Sequence, residues 1–224
     1  MNTTAAESTP ITFSKEEARY RHIQPNVVTP EECAKLITLI ERFGAVGDGY
    51  SGNKHPHTPN EIFGGYSLGG GTEHAHEPEH LLCLTVMDRV RRIVKKHFGL
   101  PFLWLDFGHL VFREAVPPED GAEVEEFSHP WHLDNQSDGV KHRTHTAILY
   151  INDGFEGGLT RFQETDFGPF REVQPEPGKM VAFDVAKNPH GVSKLISGKR
   201  YVLNMWFSTR IQVYRHHRKI FKPL

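Results

Sequence analysis

His132 and Asp134 stand two positions apart with Leu133 between them. On a β-strand alternate side chains share a face, so an imidazole and a carboxylate at this spacing project together while Leu133 projects away. Two such groups fill only part of a metal's coordination sphere, and the fold must bring back a third. The sequence offers His190, in Asn188-Pro189-His190-Gly191-Val192, 56 positions after Asp134. That interval has room for several strands, which constrains the chain to a β architecture that returns to its own starting point. Two imidazoles and one carboxylate on one face of a metal leave the opposite face open, the arrangement of non-haem Fe(II) oxygenases. Ten positions after His190 comes Arg200, whose planar fork suits two-point binding of a carboxylate and stays charged when partly buried. From these residues, His132, Asp134 and His190 are expected to hold one iron(II), with Arg200 on the far carboxylate of 2-oxoglutarate and O2 sharing the open positions. The chain has 15 histidines, so a lone His-x-Asp carries little; the ordered set of four carries the argument.

The 224 residues suffice for one domain with a sizeable core, expected over 21–212, with a helical support at 29–99 and a barrel core at 101–210. Residues 1–20 read as a mobile tail and 213–224 as a basic tail. The net charge of -2 gives no field that would recruit nucleic acid or an anionic membrane. No apolar run approaches the length of a membrane span, the start lacks an apolar leader, and Phe221-Lys222-Pro223-Leu224 is not a retention signal. Cys33 and Cys83 fall among apolar neighbours in expected helices and read as reduced and buried. The expectation is a cytoplasmic protein in a reducing compartment, without nucleic-acid or membrane partners; nothing in the sequence sets its oligomeric state.

Thr29-Pro30-Glu31-Glu32 predicts a helix start, with Thr at the N-cap, Pro at N1 and Glu32 closing a capping box. That helix runs to about Phe43, where Gly44 ends it. Gly47 to His80 reads as a long irregular loop, a candidate lid over substrate. A second helix is expected from Glu79 to His97, with Leu82, Val86, Val90, Ile93 and Val94 as its buried stripe. From Pro101 the period becomes two, predicting strands near 103–113, 127–134, 143–152, 158–163, 170–174, 179–185, 189–195 and 200–209. The fold class is therefore mainly β with flanking helices, a jelly-roll, cupin-like barrel.

Alternation assigns faces. Arg200, Val202, Asn204, Trp206 and Ser208 share one side of their strand, so Trp206 points into the barrel if Arg200 does. Thr144, Thr146, Ile148 and Tyr150 share a face of another. Tyr150 is either an ordinary strand aromatic or a phenol on the carboxylate that Arg200 holds, and alternation does not choose.

Several ordered stretches together resemble a known family: Asp48-Gly49-Tyr50 with Pro56-His57-Thr58-Pro59-Asn60-Glu61; His109-Leu110-Val111 with Arg113; His129-Pro130-Trp131-His132-Leu133-Asp134-Asn135; Ala147 to Asp153 with Phe155-Glu156-Gly157-Gly158; Gly178-Lys179-Met180; and Asn188 to Val192 through Gly198-Lys199-Arg200 to Trp206-Phe207. They resemble the 2-oxoglutarate- and Fe(II)-dependent dioxygenases of the prolyl hydroxylase superfamily, and within it the catalytic domain of the collagen prolyl 3-hydroxylases (the leprecan group). The resemblance covers roughly residues 47 to 208. It implies a double-stranded β-helix, His132, Asp134 and His190 as iron ligands, and Arg200 with Tyr150 on the 2-oxoglutarate carboxylate. It places Thr146 in the pocket as a further cosubstrate-binding residue, and nominates Trp206, Arg113, Asn135, His57 and Asn60 on the substrate side. Where that group is more apolar, this chain has Leu159-Thr160-Arg161-Phe162. Arg161 either binds a substrate carboxylate at the pocket mouth or is a solvated arginine on an edge strand.

The expected reaction is hydroxylation of an unactivated C–H of a proline, prolyl or related amino-acid substrate, with release of succinate and CO2 and with ascorbate in support. Asp134 fills the position a halogenase leaves for halide, which favours hydroxylation. A free amino acid or small metabolite unrelated to proline is the alternative substrate. A cupin-like metal enzyme that is not an oxygenase would share the ligands but has no need of Arg200.

Overall fold

The computed structural model describes residues 13–47, 61–68, 73–117, 126–164 and 169–222. His57 and Asn60 lie outside them. In chain order the strands are β1 Arg21–Gln24, β2 Ala45–Val46, β3 Glu61–Ser67, β4 Trp104–Ala115, β5 Phe127–His132, β6 His145–Tyr150, β7 Glu156–Gly157, β8 Thr160–Gln163, β9 Phe170–Val173, β10 Met180–Asp184, β11 His190–Ser193, β12 Leu195–Ser197 and β13 Lys199–Ser208. The helices are α1 Pro30–Phe43, α2 Pro78–His97 and α3 Tyr214–Ile220.

Among the described residues the strands form a seven-stranded sheet, ordered β1-β10-β6-β13-β4-β3-β2, and a four-stranded sheet, ordered β5-β11-β8-β9, with β7 and β12 as a separate pair. Each pairing is antiparallel. The central strands of the large sheet, β6, β10 and β13, are largely buried on both faces. Leu203, Met205 and Phe207 of β13 join Leu110, Leu149 and the helix residues Leu36, Leu39, Leu84 and Met87 in one core. Val202, Tyr150, Ile148 and Val111 turn the other way, to meet Phe162 and Val173 of the small sheet in a second core. The expected mainly β barrel with helices outside is what forms, a double-stranded β-helix.

The capping box of α1 is present: Glu32 N donates to Thr29 Oγ1 at 3.2 Å and Thr29 N to Glu32 Oε2 at 3.0 Å. Glu32 also takes Arg89 of α2 at 2.8 Å. At this partial exposure the ion pair contributes about 0–1 kcal/mol, against about 1.5–3 kcal/mol for each fully buried Leu, so apolar packing holds the two helices together. Among the described residues no helix is long and apolar enough to cross a membrane. Cys33 and Cys83 are buried free thiols, as expected.

Three expectations change. The loop expected over Gly47 to His80 contains β3, paired with β4 from Glu61↔Ala115 to Ser67↔His109. Gly64 and Gly65 disguised it, because glycine is depleted in strands. They are needed there: an added Cβ would come within 2.4 Å of the Phe112 ring at Gly64 and within 2.1 Å of His109 Nε2 at Gly65. The segment read as a basic tail carries α3, which buries Ile220 and accepts Leu105 N on His217 Nδ1 at 3.2 Å. Residues 13–20 of the expected N-terminal tail are packed too, with a 3-10 turn at Glu17–Arg19 and Glu17 buried against Arg171 at 3.0 Å.

Candidate active site

His190 on β11 faces His132 on β5 across one antiparallel register position. This pairing brings ligands far apart in sequence within reach of each other. Between His190↔His132 and Val192↔His129 the register slips, so β5 carries one residue more than β11 over this stretch. The bulge accommodates Pro130, which has no N–H for the ladder. β5 ends at His132, and Asp134 sits in the turn beyond it. The expected strand over 127–134 is therefore shorter, and a turn rather than strand alternation aims the carboxylate.

The three side chains still converge. Their donor atoms lie within 4.8 Å of one another. His132 Nε2 is 3.5 Å from Asp134 Oδ1, and His190 Nε2 is 3.6 Å from Asp134 Oδ2. Both Nδ1 atoms face backbone carbonyls, Pro130 O at 2.8 Å and Asn188 O at 3.0 Å. A ring nitrogen facing a carbonyl can only donate, so in the neutral ring of each histidine it is Nε2 that presents the lone pair. Burial pulls the His190 pKa down to about 4, which keeps it neutral near pH 7. Burial pushes the Asp134 carboxyl upward, but the His190 and His132 imidazoles and a hydrogen bond from Thr146 outweigh it and hold the group well below the usual carboxylate range. Thr146 Oγ1 donates to Asp134 Oδ2 at 2.6 Å.

The His190 ring is held from behind. Arg21 Nε donates to Asn188 Oδ1, while Asn188 Nδ2 donates to Asp184 O at 2.7 Å and Tyr20 O at 3.2 Å. Asn188 is fully buried, and its backbone carbonyl fixes His190 Nδ1. Asn188→Ala should cost about 1–3 kcal/mol of stability by stranding the Arg21 donor, and about tenfold or more in metal affinity by loosening the ring. Denaturant unfolding and calorimetric titration with Mn(II) would read the two effects separately.

The same cavity reaches Arg200. Its walls include His132, Asp134, His190, Thr146, Trp206, Arg113 and Arg200, and its volume is about 180 Å³. That is below the about 300–1,000 Å³ of sites for drug-sized ligands, so it suits a small diacid and the end of a substrate. Arg200 is 3% exposed. Burial lowers its pKa to about 10, which leaves it charged. Its Nε is buried with no hydrogen-bond acceptor, and among the described residues it forms no ion pair. A buried guanidinium lacking a counter-ion fits a site built to receive a carboxylate. The donor set next to it fits iron(II).

Residues 122–208, which hold all four of these side chains, match the 2OG-Fe(II) oxygenase superfamily. The chain carries a 2OG-Fe(II) oxygenase domain. Over 209 residues it is 34% identical to prolyl 3-hydroxylase 1 of Rattus norvegicus, an alignment covering 84% of this chain and 28% of that protein. The chain thus spans under a third of the length of that relative. Among solved structures it superposes on a 2OG-Fe(II) oxygenase family oxidoreductase from Burkholderia pseudomallei, with a TM-score of 0.62 at 15% identity over 90% of this chain and 94% of the other. It also superposes on a Pseudomonas putida prolyl-4-hydroxylase, with a TM-score of 0.55 at 21% identity over 85% and 92%. Both show the fold.

Within the oxygenase domain the other expected residues divide. Trp206 and Arg113 line the cavity, and Trp206 stacks on Phe107 with Arg143 over its face. Tyr150 is fully buried and donates its phenol to Thr160 Oγ1 at 2.8 Å, with the Arg200 guanidinium 5.8 Å from its ring centre; it supports Arg200 and does not line the cavity. Asn135 does not line it either. Arg161 is turned to the outer face of the small sheet, paired with Glu172 at 2.8 Å and Glu126 at 3.5 Å. The alternation Thr160-in, Arg161-out explains this, and β8 lies between β11 and β9, so it is not an edge strand.

Several residues of the site were not singled out as candidates, among them four that bear on its charge and shape. His109 and Asn204 line the cavity from facing register positions of β4 and β13. Both share a face with residues that were named, Arg113 and Arg200, so alternation could have found them. Gly158, at φ 64°, lies against Arg200: an added Cβ would stand 2.9 Å from its Cδ. Glu61, buried on β3, holds Arg113 at 2.8 Å.

Proposed function

We propose that the domain is a hydroxylase that uses iron(II), 2-oxoglutarate and O2 to convert a C–H bond of a prolyl or related residue to C–OH, with release of succinate and CO2. The observation that carries this reading is a single cavity lined by both the two-histidine, one-aspartate donor set and a buried arginine that has no counter-ion among the described residues. His132 and His190 would bind the metal through Nε2 and Asp134 through its carboxylate, and the bound iron would supply the activation of O2. Thr146 keeps the Asp134 carboxylate oriented. Arg200, backed by Gly158 and Tyr150, would fix the far carboxylate of 2-oxoglutarate. The apolar walls Ile148 and Val192 and the indole of Trp206 exclude water beside the reacting centre.

The charges around the cavity support a residue within a peptide over a free amino acid. A zwitterion needs a spare cation and a spare anion. Among the described residues Arg113 is taken by Glu61, Arg143, over the Trp206 ring, is taken by Asp106, and Arg200 is reserved for the cosubstrate. The remaining lining suits a neutral ring flanked by amides. The prolyl 3-hydroxylase relatives agree with this choice. A cupin-like metal enzyme without O2 chemistry would leave the buried Arg200 charge unexplained.

The test uses the full chain with Fe(II), 2-oxoglutarate and ascorbate, followed by succinate and product mass. Proline-containing peptides should stimulate succinate release and gain one oxygen atom, while free proline should do neither. Stimulation by free amino acids alone would move the substrate to the metabolite class. No substrate-stimulated succinate with either panel would overturn the hydroxylase reading.

A further inference from the structure

Arg113 and Arg200 occupy facing register positions of β4 and β13, and both line the cavity. Two guanidiniums there would make a doubly charged floor. The structure places one carboxylate beside them. Glu61, 3% exposed, takes Arg113 Nη1 on Oε2 at 2.8 Å and the Leu195 backbone N–H on Oε1 at 3.2 Å, with Ser128 Oγ donating to the same Oε1. Arg113, itself 5% exposed, lies against the Phe63 ring at 5.0 Å. The carboxylate is thus fixed from three sides by β4, β5 and the segment after β11, and it cannot swing into the cavity without abandoning buried donors.

We infer that Glu61 is a selectivity-determining positioning residue: by neutralising Arg113 it sets the cavity floor to a net single positive charge, so that the floor accepts a tail with one carboxylate and rejects a tail with two. Among the described residues the count is Arg200 and Arg113 against Glu61. It matches 2-oxoglutarate, whose distal end carries one carboxylate. Branched tricarboxylates, which offer a second, find their potential cation already occupied. A like-charged or unpaired buried group is strongly disfavoured at such a site. This rests on the reading of Arg200 as the carboxylate anchor.

The test is calorimetric titration of the full chain loaded with Mn(II), using 2-oxoglutarate and tricarballylate as probes. In the parent protein 2-oxoglutarate should bind the more tightly. Glu61→Gln leaves an oxygen for Arg113 but frees its charge, and should shift the affinity ratio about tenfold or more towards tricarballylate. Arg113→Gln lowers the floor to zero and should weaken both probes. The double variant Glu61→Gln, Arg113→Gln restores a single charge and should restore the parent ratio; it also decides the matter if Glu61→Gln alone fails to fold, because removing a buried pair whole is tolerated better than removing one partner. A ratio that stays at the parent value in folded Glu61→Gln, or a double variant that fails to restore it, overturns the inference. If Arg200→Gln binds 2-oxoglutarate as tightly as the parent, the anchor reading itself fails, which is a separate result.

Discussion

Replacing Arg200 by glutamine is expected to raise the KM for 2-oxoglutarate about 10²–10³-fold, with a smaller change in kcat at saturation. Truncating one partner of a buried, hydrogen-bonded charge pair costs about 2–5 kcal/mol, much of it from leaving the other charge buried and unpaired. The cosubstrate carboxylate would be that stranded charge. Arg200 is buried, and among the described residues it makes no ion pair and keeps an Nε without an acceptor, so its charge is left for the cosubstrate carboxylate. Arg113 is adjacent, but Glu61 holds it. Arg200→Lys should lie between the two, because it retains the charge while losing the planar fork. Steady-state kinetics with 2-oxoglutarate varied would check the series. A KM unchanged in Arg200→Gln, in a protein with the parent's circular dichroism and Tm, would move the cosubstrate elsewhere in the cavity.

The residues that could be read from the sequence are those whose side-chain chemistry is itself specific. Two imidazoles, a carboxylate and a guanidinium at those intervals suit few purposes, and the structure gathers all four on one cavity. Alternation on β13 was also reliable, because both faces of that strand are buried: Arg200, Asn204 and Trp206 turn to the cavity, while Leu203, Met205 and Phe207 turn to the helices. Three kinds of information were not local. The strand β3 was hidden because Gly64 and Gly65 are required by neighbours from another strand, Phe112 and His109. The orientation of Asp134 depends on a turn after a bulged strand, which a period-two pattern does not encode. Arg161 and Arg113 look alike in sequence, yet one is turned outward to Glu172 and the other inward to Glu61; partner placement decides this, not residue type.

Asp134→Ala is expected to abolish turnover and to erase the stabilisation that metal gives the parent protein. A structural metal site of four ligands binds with about 10–16 kcal/mol, or roughly 2.5–4 kcal/mol for each ligand, so losing one costs about two to three orders of magnitude in affinity. Asp134 is the only anionic member of the set, and its removal also leaves Thr146 Oγ1 without its acceptor. The two imidazoles that remain are on adjacent strands, held by Pro130 O and Asn188 O, and so the fold should persist. Metal at about 100 times its Kd stabilises the folded state by about 2.7 kcal/mol. Thermal unfolding with and without Mn(II) should therefore show a clear rise in Tm for the parent and none for Asp134→Ala at the same concentration. His190→Ala should behave in the same way, with a further loss of stability from the cavity left against Phe183 and Phe162. Undiminished metal-dependent stabilisation in both variants would mean that the ion is held by other side chains, and the cavity at the junction of β5 and β11 would then need a different chemistry.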